Sequence, residues 1–447
     1  MLKHIFLFIL ICLAIAAGAF FYLSRGDTAR LSVAELSGRE PQLTAPRKEF
    51  IPTANIAKAV GWKANEKPVA PKGLMVERFA DGLAHPRSML RLGNGDILVA
   101  ETGSPKREVG GITGIVMNFL MGKAGADAPS PNRIILLRDS NRDGKADERH
   151  VLLEGLNSPY GMALVGDTLY VANTDALMAF PYKLGETRIN AKGRKILALP
   201  SQAPNFHWTR NLIASPDGSL LYVAVGSASN IAEYGLDKEE NRADILEVNP
   251  KTGSYRIFAS GMRNPVGMAW EPHSGELWAV VNERDMLGSD LVPDYLTRVE
   301  FGAFYGWPWN YWGGYEDKRV EPGRPDLREY THRPDYGLGA HTAALGLTFA
   351  EGATLGEPFT NGAFIGLHGS WNRKPLAGYK VVFVKFNEKG HPQGLPIDLL
   401  TGFLTKEDEA RGRPVDVLID NAGALLVSDD VGGVIWRVSN PKAAAAK

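Results

Sequence analysis

The sequence has little cysteine and no net charge, and each shortage excludes a class of protein. The single cysteine among 447 residues excludes a disulfide framework and any cysteine-rich zinc or iron–sulfur site. The 50 Lys and Arg residues balance the 50 Asp and Glu residues, so there is no basic excess to bind nucleic acid. Glycine (49 residues) and proline (28 residues) are abundant instead, which indicates many turns.

Two common catalytic motifs are also missing. No glycine-rich phosphate-binding loop follows a strand pattern and opens a helix, so a nucleotide or nicotinamide site is not supported. No G-x-S-x-G nucleophile elbow is present either. The chemistry must therefore come from other residues.

An uncharged apolar run over residues 5–23 follows Lys3 and contains the one cysteine, Cys12. A run of this length can cross a membrane as a helix. We predict that residues 1–24 are a signal peptide or membrane anchor, either retained or cleaved near residues 14–19. The rest of the chain is then expected in the periplasm or cell envelope, with its N-terminus attached to the membrane if the helix is retained.

A repeat begins after residues 25–71, a Pro-containing stretch that is predicted to be a linker. Each copy has a Gly-Leu or related step, a small apolar run, a turn and an alternating strand. The six turns lie at Asn94, Gly166, Asp217, Ser274, Asn361 and Asn421. Six such copies predict an all-β fold, a six-bladed β-propeller over residues 72–440, and explain the recurrence better than a pair of β-sandwiches.

Three stretches interrupt the repeat, at residues 103–131, 286–334 and 406–412. Long insertions on a rigid scaffold are where binding sites are usually built. The first contains the apolar sequence GGITGIVMNFLMG and is predicted to pack on a face of the domain or contact a membrane.

The sequence D-x-N-x-D-G-x-x-D begins at Asp139 and includes Asn141 and Asp143. Oxygen ligands at alternate positions with a glycine at the turn suit a calcium ion. A hairpin whose Asx side chains cap their own turn would give the same pattern. Both interpretations stay open.

Two repeats carry reactive side chains where the other copies do not. His207 begins the third copy, where it could act as a general base near neutral pH or serve as a structural hydrogen-bonding residue. Arg263 and Asn264 open the fourth copy and could hold a carboxylate or quinone-like oxygens. Alternatively, they could satisfy loop carbonyls.

An acidic loop follows the strand pattern of the fourth repeat. It contains Asn282, Glu283, Arg284, Asp285, Asp290 and Asp294. Such a density of acids is costly unless water or a cation neutralises it. Aromatic residues over 304–309 follow and could line a flat cofactor or sugar, or belong to the core.

Cationic residues stand at the starts of the late strands. They are Arg373, Lys374, Arg411 and Arg413. Together with Arg210 and Arg263, they predict positive charge around one channel mouth, which suits a small polyanionic ligand.

The sequence resembles the soluble pyrroloquinoline-quinone (PQQ) sugar dehydrogenases, specifically the glucose/sorbosone dehydrogenase branch, over roughly residues 73–438. The most specific pieces are HWTRNL from His207, GMRNPVGMAW from Gly261, NERD from Asn282, HGSWNR from His368 and GRPVDV from Gly412. The resemblance implies a six-bladed propeller that binds PQQ and Ca²⁺. It also implies oxidation of an aldose C1 hydroxyl or of an aldehyde such as sorbosone, with a cytochrome or quinone as electron acceptor.

The resemblance implies a role for each matching residue. His207 is the expected base, Arg263 the residue that polarises the quinone oxygens, and Asn264 its neighbour at the cofactor. The expected cofactor ligands also include the cations Arg413, Arg411, Arg373 and Lys374. The expected calcium ligands are the backbone carbonyls of Asn282, Glu283, Arg284 and Asp285, with Asp290 in a second calcium loop.

Two positions depart from the family pattern. Val266 stands where glucose-oxidising members often carry Gln, and Phe206 stands where an acid precedes the catalytic His. A non-catalytic, membrane-anchored binding module is therefore the alternative function. A calcium-dependent lactonase is a weaker third possibility.

Overall fold

The computed structural model describes residues 2–23, 26–47, 49, 52–105, 119–126 and 129–444. The chain begins with helix α1 (Leu2–Leu23), a two-residue strand β1 (Ser37–Gly38) and strand β2 (Met75–Ala80). Six antiparallel sheets follow, one for each copy of the repeat. Each sheet forms one blade and has four or five strands. The all-β, six-bladed propeller is confirmed.

The first three blades are formed by successive strands. Blade 1 contains β3 (Pro86–Arg91), β4 (Ile97–Glu101), β5 (Arg133–Arg138) and β6 (Glu148–Leu153). Blade 2 contains β7 (Met162–Val165), β8 (Thr168–Ala172), β9 (Ala176–Pro181) and β10 (Arg194–Ala198). Blade 3 contains β11 (Arg210–Ala214), β12 (Leu221–Val225), β13 (Asp244–Val248) and β14 (Tyr255–Ala259).

The last three blades include two additions from the N-terminal part of the chain. Blade 4 contains β15 (Asn264–Trp270), β16 (Leu277–Asn282), β17 (Pro293–Arg298) and, after the small hairpin β18 (Asn310–Tyr311) and β19 (Tyr315–Glu316), β20 (Tyr336–Ala340). Blade 5 contains β21 (Ala344–Phe349), β22 (Gly362–Leu367), β23 (Lys380–Phe386) and β24 (Pro392–Leu400). Blade 6 contains β25 (Pro414–Ile419), β26 (Leu425–Asp429) and β27 (Val434–Ser439), and a helical turn (Pro441–Ala444) follows it.

The ring closes because β2 pairs with β27 and supplies the outer strand of blade 6. β1 pairs with β20 at the outer edge of blade 4. The innermost strands β3, β7, β11, β15, β21 and β25 contact one another around the ring. The strand that precedes blade 1 is thus hydrogen-bonded into blade 6, which closes the ring through strands that are far apart in sequence.

The core lies between neighbouring blades, where the apolar faces of adjacent sheets pack on each other. All five residues of β12 (LYVAV) are buried, as expected for a strand covered on both faces. Between blades 1 and 2, for example, Leu98 and Ile134 pack in one cluster with Val171 and Phe180.

The register of the strands defines two ends of the propeller. In blade 1, Pro86 pairs with Glu101 at one end, and Arg91 pairs with Ile97 at the other. All six predicted turns join the first and second strands of a blade at this second end, which we call the turn face. The opposite end, where the innermost strands begin, is called the cavity face.

The predicted linker is packed against the propeller over its described residues. Ala29 N donates to Lys374 O (2.7 Å), Asn55 N to Trp371 O (2.8 Å) and Val60 N to Ala410 O (2.8 Å). This segment therefore follows the cavity face instead of extending away from the domain. Helix α1 has no buried residue between Lys3 and Tyr22, and its length and composition suit a membrane span or a signal sequence alike.

Candidate functional site

A cavity of about 370 Å³ opens on the cavity face, where the innermost strands begin and the second strands end. The central channel holds a buried apolar cluster of Tyr160, Trp208, Val266, Leu345 and Val415, of which Trp208 also lines the cavity. Each of these residues comes from the start of an innermost strand or from the segment just before it. Val266, one of the two departures from the family pattern, is therefore a buried residue of the channel (1% exposed).

His207 lies on one wall of the cavity, in the segment that leads into β11. Its Nδ1 is 2.9 Å from both the carbonyl oxygen and the hydroxyl of Ser227. The Ser227 hydroxyl donates its own proton to Ser229 O (2.7 Å). Nδ1 must therefore carry the proton and donate it, which makes Nε2 the basic nitrogen of the neutral imidazole.

Arg263 lies beside His207, and its guanidinium donates hydrogen bonds to other groups of the protein. It donates to Asp285 Oδ2 (2.9 Å) and Glu283 O (2.6 Å), and to the side-chain and backbone oxygens of Asn230 (2.9 and 3.2 Å). Asn282 O is a longer acceptor at 3.5 Å. The contribution of Arg263 to a bound ligand is thus its charge and its support of the wall.

Asn264, the first residue of β15, also lines the cavity. Its side-chain oxygen is buried and has no hydrogen-bond partner among the described residues. A buried, unsatisfied acceptor at a cavity wall is costly until a ligand or water donates to it.

Asp285 joins Arg263 to a second cationic group, His341. His341 Nδ1 is 3.3 Å from Asp285 Oδ1, and its Nε2 is 3.1 Å from Gly288 O. Burial lowers the pKa of His341, but the hydrogen bond and charge of Asp285 outweigh it and raise that pKa. Because both ring nitrogens face acceptors, this wall favours the doubly protonated form of His341.

Asp294 supports the same wall from the start of β17. Its carboxylate accepts from the backbone nitrogens of Glu283 (2.8 Å) and Ala343 (2.7 Å). Burial raises its pKa to about 6. Asp294 thus holds together the ends of two strands and sets the position of the acidic loop.

The facing wall carries a second charged cluster around Asp430, which directly follows β26. Arg87 Nη1 is 2.5 Å from Asp430 Oδ2, and His368 Nε2 is 3.0 Å from the same oxygen. Burial works to raise the pKa of Asp430, but His368 and Arg87 hold it well below its usual range. Burial lowers the pKa of His368 to about 4, so His368 is neutral and donates its Nε2–H.

Arg413 completes this wall and is the least compensated cation at the cavity. It is 6% exposed, its Nη2 donates to Tyr379 Oη (3.2 Å), and its Nε has no partner among the described residues. Across the same described part of the chain, Arg413 forms no ion pair. A buried cation of this kind favours an anionic ligand.

The mouth of the cavity is mainly apolar. Phe206, which packs edge-on against Tyr234 with ring centroids 5.9 Å apart, and Trp371 contribute aromatic surface. Leu120 and Met121 contribute aliphatic surface from the first insertion. Of that insertion, residues 106–118 and 127–128 lie outside the described residues, including most of GGITGIVMNFLMG.

Three of the predicted cofactor ligands do not line this cavity. Arg373 is 2% exposed and donates to Ser289 O, to Asp290 Oδ1 (3.3 Å) and to Leu31 O (2.9 Å), so it ties the N-terminal segment to the propeller. Lys374 follows it on the exposed side. Arg411 pairs instead with Glu66 (3.4 Å). Their placement does not support the cofactor roles predicted for them.

The predicted calcium ligands also have other partners. Asp290 accepts from Arg30 N (2.8 Å) and Leu31 N (3.3 Å) in addition to Arg373. Arg284, which is fully buried, donates to Pro308 O and Asn310 O (2.6 Å each) and so fixes the insertion that follows β17. Asp290 therefore anchors the N-terminal segment, and the Arg284 side chain is structural.

The Asp139 loop lies on the turn face, between β5 and β6, and so at the other end from the cavity. Asp143 N donates to Asp139 Oδ1 (3.1 Å) and Asn141 Oδ1 (2.8 Å), and Gly144 N donates to Asp139 Oδ2 (2.9 Å). These are the contacts of the self-capped turn, the second interpretation of the motif. Within the described residues, no three His, Cys, Asp or Glu side chains form a group that could hold a metal ion.

The aromatic residues of 304–309 belong to the structure of blade 4 and do not line the cavity. Tyr305 is buried in the core cluster of that blade, and Trp307 Nε1 donates to Asn230 O (2.9 Å). Trp307 thus supports Asn230, which in turn holds Arg263.

Five ionisable cavity residues were not predicted from the sequence, namely His85, Arg87, His341, His368 and Asp430. A signal for the first two was present, because the repeat aligns Pro86 with Pro265 and so places His85 at the position of Asn264. His368 opens the quoted HGSWNR motif. Asp430 and His341 carried no comparable signal.

A family model described as TrAA12-like matches residues 68–293 and 327–441, which is more than half of the chain. The chain belongs to the TrAA12-like family. This membership confirms the predicted resemblance to PQQ-dependent sugar dehydrogenases. The gap between the two matched segments falls within the predicted insertion at residues 286–334.

Curated relatives of this TrAA12-like chain are distant. An uncharacterized protein of Borreliella burgdorferi is 28% identical over 298 residues, covering 65% of this chain and 77% of the relative. A pyrroloquinoline quinone-dependent pyranose dehydrogenase of Coprinopsis cinerea is 25% identical over 434 residues, covering 83% of this chain. The chain spans 54% of the length of that fungal relative.

Solved structures share the fold of the TrAA12-like chain. Two structures of the Trichoderma reesei enzyme of family AA12, an iodide and a calcium structure, superimpose with a TM-score of 0.68 each. They are 20% and 19% identical, cover 86% and 87% of this chain, and are themselves covered to 99%. At this identity the likeness concerns the fold alone.

Proposed function

We propose that this protein oxidises an aldose or a sugar aldehyde of the sorbosone type, with PQQ bound in the cavity as the hydride acceptor. One observation carries the proposal. A histidine held as the Nδ1–H tautomer by Ser227 stands on one wall of a cavity whose facing wall presents a buried, uncompensated arginine. A base opposite an anion-binding group is the arrangement that oxidation on an anionic cofactor requires.

The unsatisfied groups of the cavity fit a flat, polyanionic quinone. Arg413, with Arg87 beside it, would hold carboxylates, and the amide of Asn264 would face polar ring atoms. Arg263 and His341 would add positive potential on the wall behind Asn264, although Asp285 offsets part of it. The PQQ dependence named for the Coprinopsis cinerea relative supports this choice of cofactor.

His207 has the role of a general base in this scheme. PQQ, when bound, supplies a quinone that takes up hydride from C1 of the substrate. Nε2 of His207 would remove the proton of the C1 hydroxyl of an aldose, or of the hydrated form of an aldehyde, so that the substrate would lose one hydride and one proton and become a lactone or an acid. The carbonyl oxygen of Ser227 accepts the Nδ1–H of His207, which leaves Nε2 unprotonated and available as the base.

Calcium has weaker support than PQQ. Of the four predicted carbonyl ligands, those of Glu283 and Asn282 accept hydrogen bonds from the Arg263 guanidinium at 2.6 and 3.5 Å. A cation already occupies their free side, so the residues do not fit a calcium ion in this arrangement, and no step is assigned to it. Calcium dependence stays a prediction from the resemblance.

The apolar residues at the mouth of the cavity influence which substrate is expected. Phe206 and Trp371 offer flat apolar surface to one face of a sugar ring. Phe206 replaces the acid that glucose-oxidising members place before the base, so an orienting carboxylate is missing there. We therefore expect a sugar aldehyde or a substituted sugar to be oxidised better than glucose itself.

The test is reconstitution of the purified full chain with PQQ, with and without calcium, in the presence of a dye acceptor and a panel of aldoses and sugar aldehydes. We expect PQQ to be retained after desalting and to support turnover. A stably folded chain that retains no PQQ and oxidises no sugar would favour the non-catalytic binding module. No PQQ retention together with lactone hydrolysis would favour the lactonase.

A further inference from the structure

The N-terminal segment joins the propeller on the cavity face, close to the cavity itself. Asp27 accepts from Ser289 N (2.8 Å) and Ser289 Oγ (3.0 Å), and both residues are buried. The preceding residue of that loop, Gly288, accepts from His341 Nε2 (3.1 Å), and His341 lines the cavity. The attachment point is thus one loop away from the cavity wall.

Helix α1 must end near this attachment point. Three residues separate Leu23 from Asp27, and a fully extended chain over these four Cα–Cα steps reaches at most about 14 Å. A six-residue strand such as β16 is about 20 Å long, so the turn face is farther away than this connection can reach. If α1 spans a membrane, the cavity face or the edge of blade 4 must lie next to that membrane.

Residues 119–126 indicate which of these two surfaces, the cavity face or the edge of blade 4, lies next to the membrane. Residues 119–126 rise from blade 1, which stands opposite blade 4 in a ring of six. Lys123 O accepts from Ala59 N (3.0 Å), and Gly125 O is 3.0 Å from His85 Nε2, so the segment is fixed at the cavity rim. It exposes Phe119 (73%) and Lys123 to solvent.

Phe119 and Lys123 are four residues apart, and both aromatic and basic side chains are enriched at the membrane interface. The attachment of α1 at blade 4 and this segment at blade 1 lie on opposite sides of the cavity mouth. If both of these regions contact the membrane, they fix the tilt of the propeller, and the cavity face is turned toward the bilayer.

We propose that the cavity face of the propeller lies against the bilayer that α1 spans, so that the cavity opens toward the lipid headgroups. Small molecules then enter and leave the cavity along the membrane surface. The proposal does not depend on PQQ or on sugar oxidation, and its test uses neither.

The test compares two lysines at opposite ends of the propeller. Lys123 lies at the cavity rim, whereas Lys389 lies in the turn between β23 and β24 on the turn face, and both are exposed. In the full-length Cys12→Ser chain, Lys123→Cys and Lys389→Cys are each labelled with an environment-sensitive fluorophore. The proteins are reconstituted into vesicles of phosphatidylethanolamine and phosphatidylglycerol that contain a nitroxide-labelled lipid.

We expect the probe at residue 123 to shift to shorter wavelength and to be quenched several-fold more than the probe at residue 389. Equal quenching at both positions would overturn the proposal, because an edge-on propeller leaves residue 123 in water. So would recovery from cell membranes, by intact mass, of a mature chain that begins after residue 23.

A measurement without substitutions guards against misfolded variants. Hydrogen–deuterium exchange of the unmodified chain is compared in the same vesicles and in detergent solution. The proposal predicts that residues 119–126 exchange more slowly in vesicles while residues 387–391 do not change. Unchanged exchange at residues 119–126 would overturn it.

Discussion

Both ends of the propeller carry aspartate side chains, but the hydrogen-bond and ion-pair partners of these side chains differ between the two ends. On the turn face, Asp217 accepts from Ser215 Oγ (2.6 Å) and Ser219 N (3.0 Å), all within one turn. On the cavity face, Asp430 pairs with Arg87 across the closure between the last and first blades. The hydrogen bonds of Asp217 are local and do not depend on the rest of the fold, whereas the Asp430–Arg87 pair depends on the ring being closed.

Burial makes this difference important energetically. The Asp430 and Arg87 side chains are 3% and 12% exposed, so loss of either partner leaves a largely desolvated charge. The exposed carboxylates of the turn face lose little when a neighbour changes, because water replaces it. Substitutions should therefore separate the two ends clearly.

The largest effect is expected from His207→Ala on the cavity face. Removal of a positioned general base should lower kcat for sugar oxidation by about 10² to 10⁴-fold. Retention of PQQ after desalting should not change, because the base is not an anion-binding group. His150→Ala is the matched control, since His150 is half-buried near the turn face, at the other end from the cavity; similar losses in both variants would contradict the account.

The next effect concerns stability and compares two aspartates. Asp430→Asn should lower the free energy of unfolding by about 3 kcal/mol, because the charge of Arg87 is left buried without its carboxylate. Asp217→Asn should leave the unfolding midpoint nearly unchanged. Denaturant unfolding of both variants checks this, and equal destabilisation would show that the two ends do not differ.

A smaller effect is expected in the pH dependence of stability. Asp429 is fully buried, and burial raises its pKa to about 6, above the value of an unfolded Asp. The folded chain therefore binds more protons than the unfolded chain between pH of about 4 and 6, so this group costs stability as the pH rises through that window.

Asp429→Asn removes this titration. The variant loses hydrogen bonds from the indoles of Trp62 and Trp436, so it should be less stable at every pH. Its deficit should narrow by on the order of 2 kcal/mol between pH of about 4 and 7. A deficit that stays constant across this range, measured by denaturant unfolding, would refute the raised pKa.

The smallest effect is expected in the Asp139 loop of the turn face. Its side-chain oxygens already accept backbone N–H groups, so added calcium should leave the unfolding midpoint unchanged. Wild type and Asp143→Asn should then behave alike in a thermal scan with and without calcium. A calcium-dependent rise in wild type that Asp143→Asn abolishes would restore the calcium interpretation of this motif.

Residues whose positions recur in the repeat could be predicted from the sequence, whereas residues whose partners are far away in the chain could not. The six turns, the strands that follow them and the cavity positions of His207, Arg263, Asn264 and Arg413 were predictable, because they recur at equivalent places in the repeat. Arg373 and Asp290 were predicted to be cofactor and calcium ligands from the family resemblance and from their charges. Their partners, Leu31 and Arg30, are more than 250 residues away.

The facing wall of the cavity could not be predicted for the same reason. Arg87 and Asp430 are 343 residues apart and meet only because β2 closes blade 6 beside blade 1. Neither residue is unusual within its own repeat. A pairing that arises from ring closure leaves no pattern in the local sequence.

An anionic cofactor is expected to bind between the two cavity walls, and one titration tests this most directly. PQQ is added to the purified chain and to Arg413→Met, and the bound fraction is measured by absorbance after desalting. We predict about one PQQ retained per wild-type chain and a loss of binding of at least tenfold in Arg413→Met, since a buried charge pair contributes more than about 1.4 kcal/mol. Equal retention by both proteins, or none by the wild type, would contradict the account.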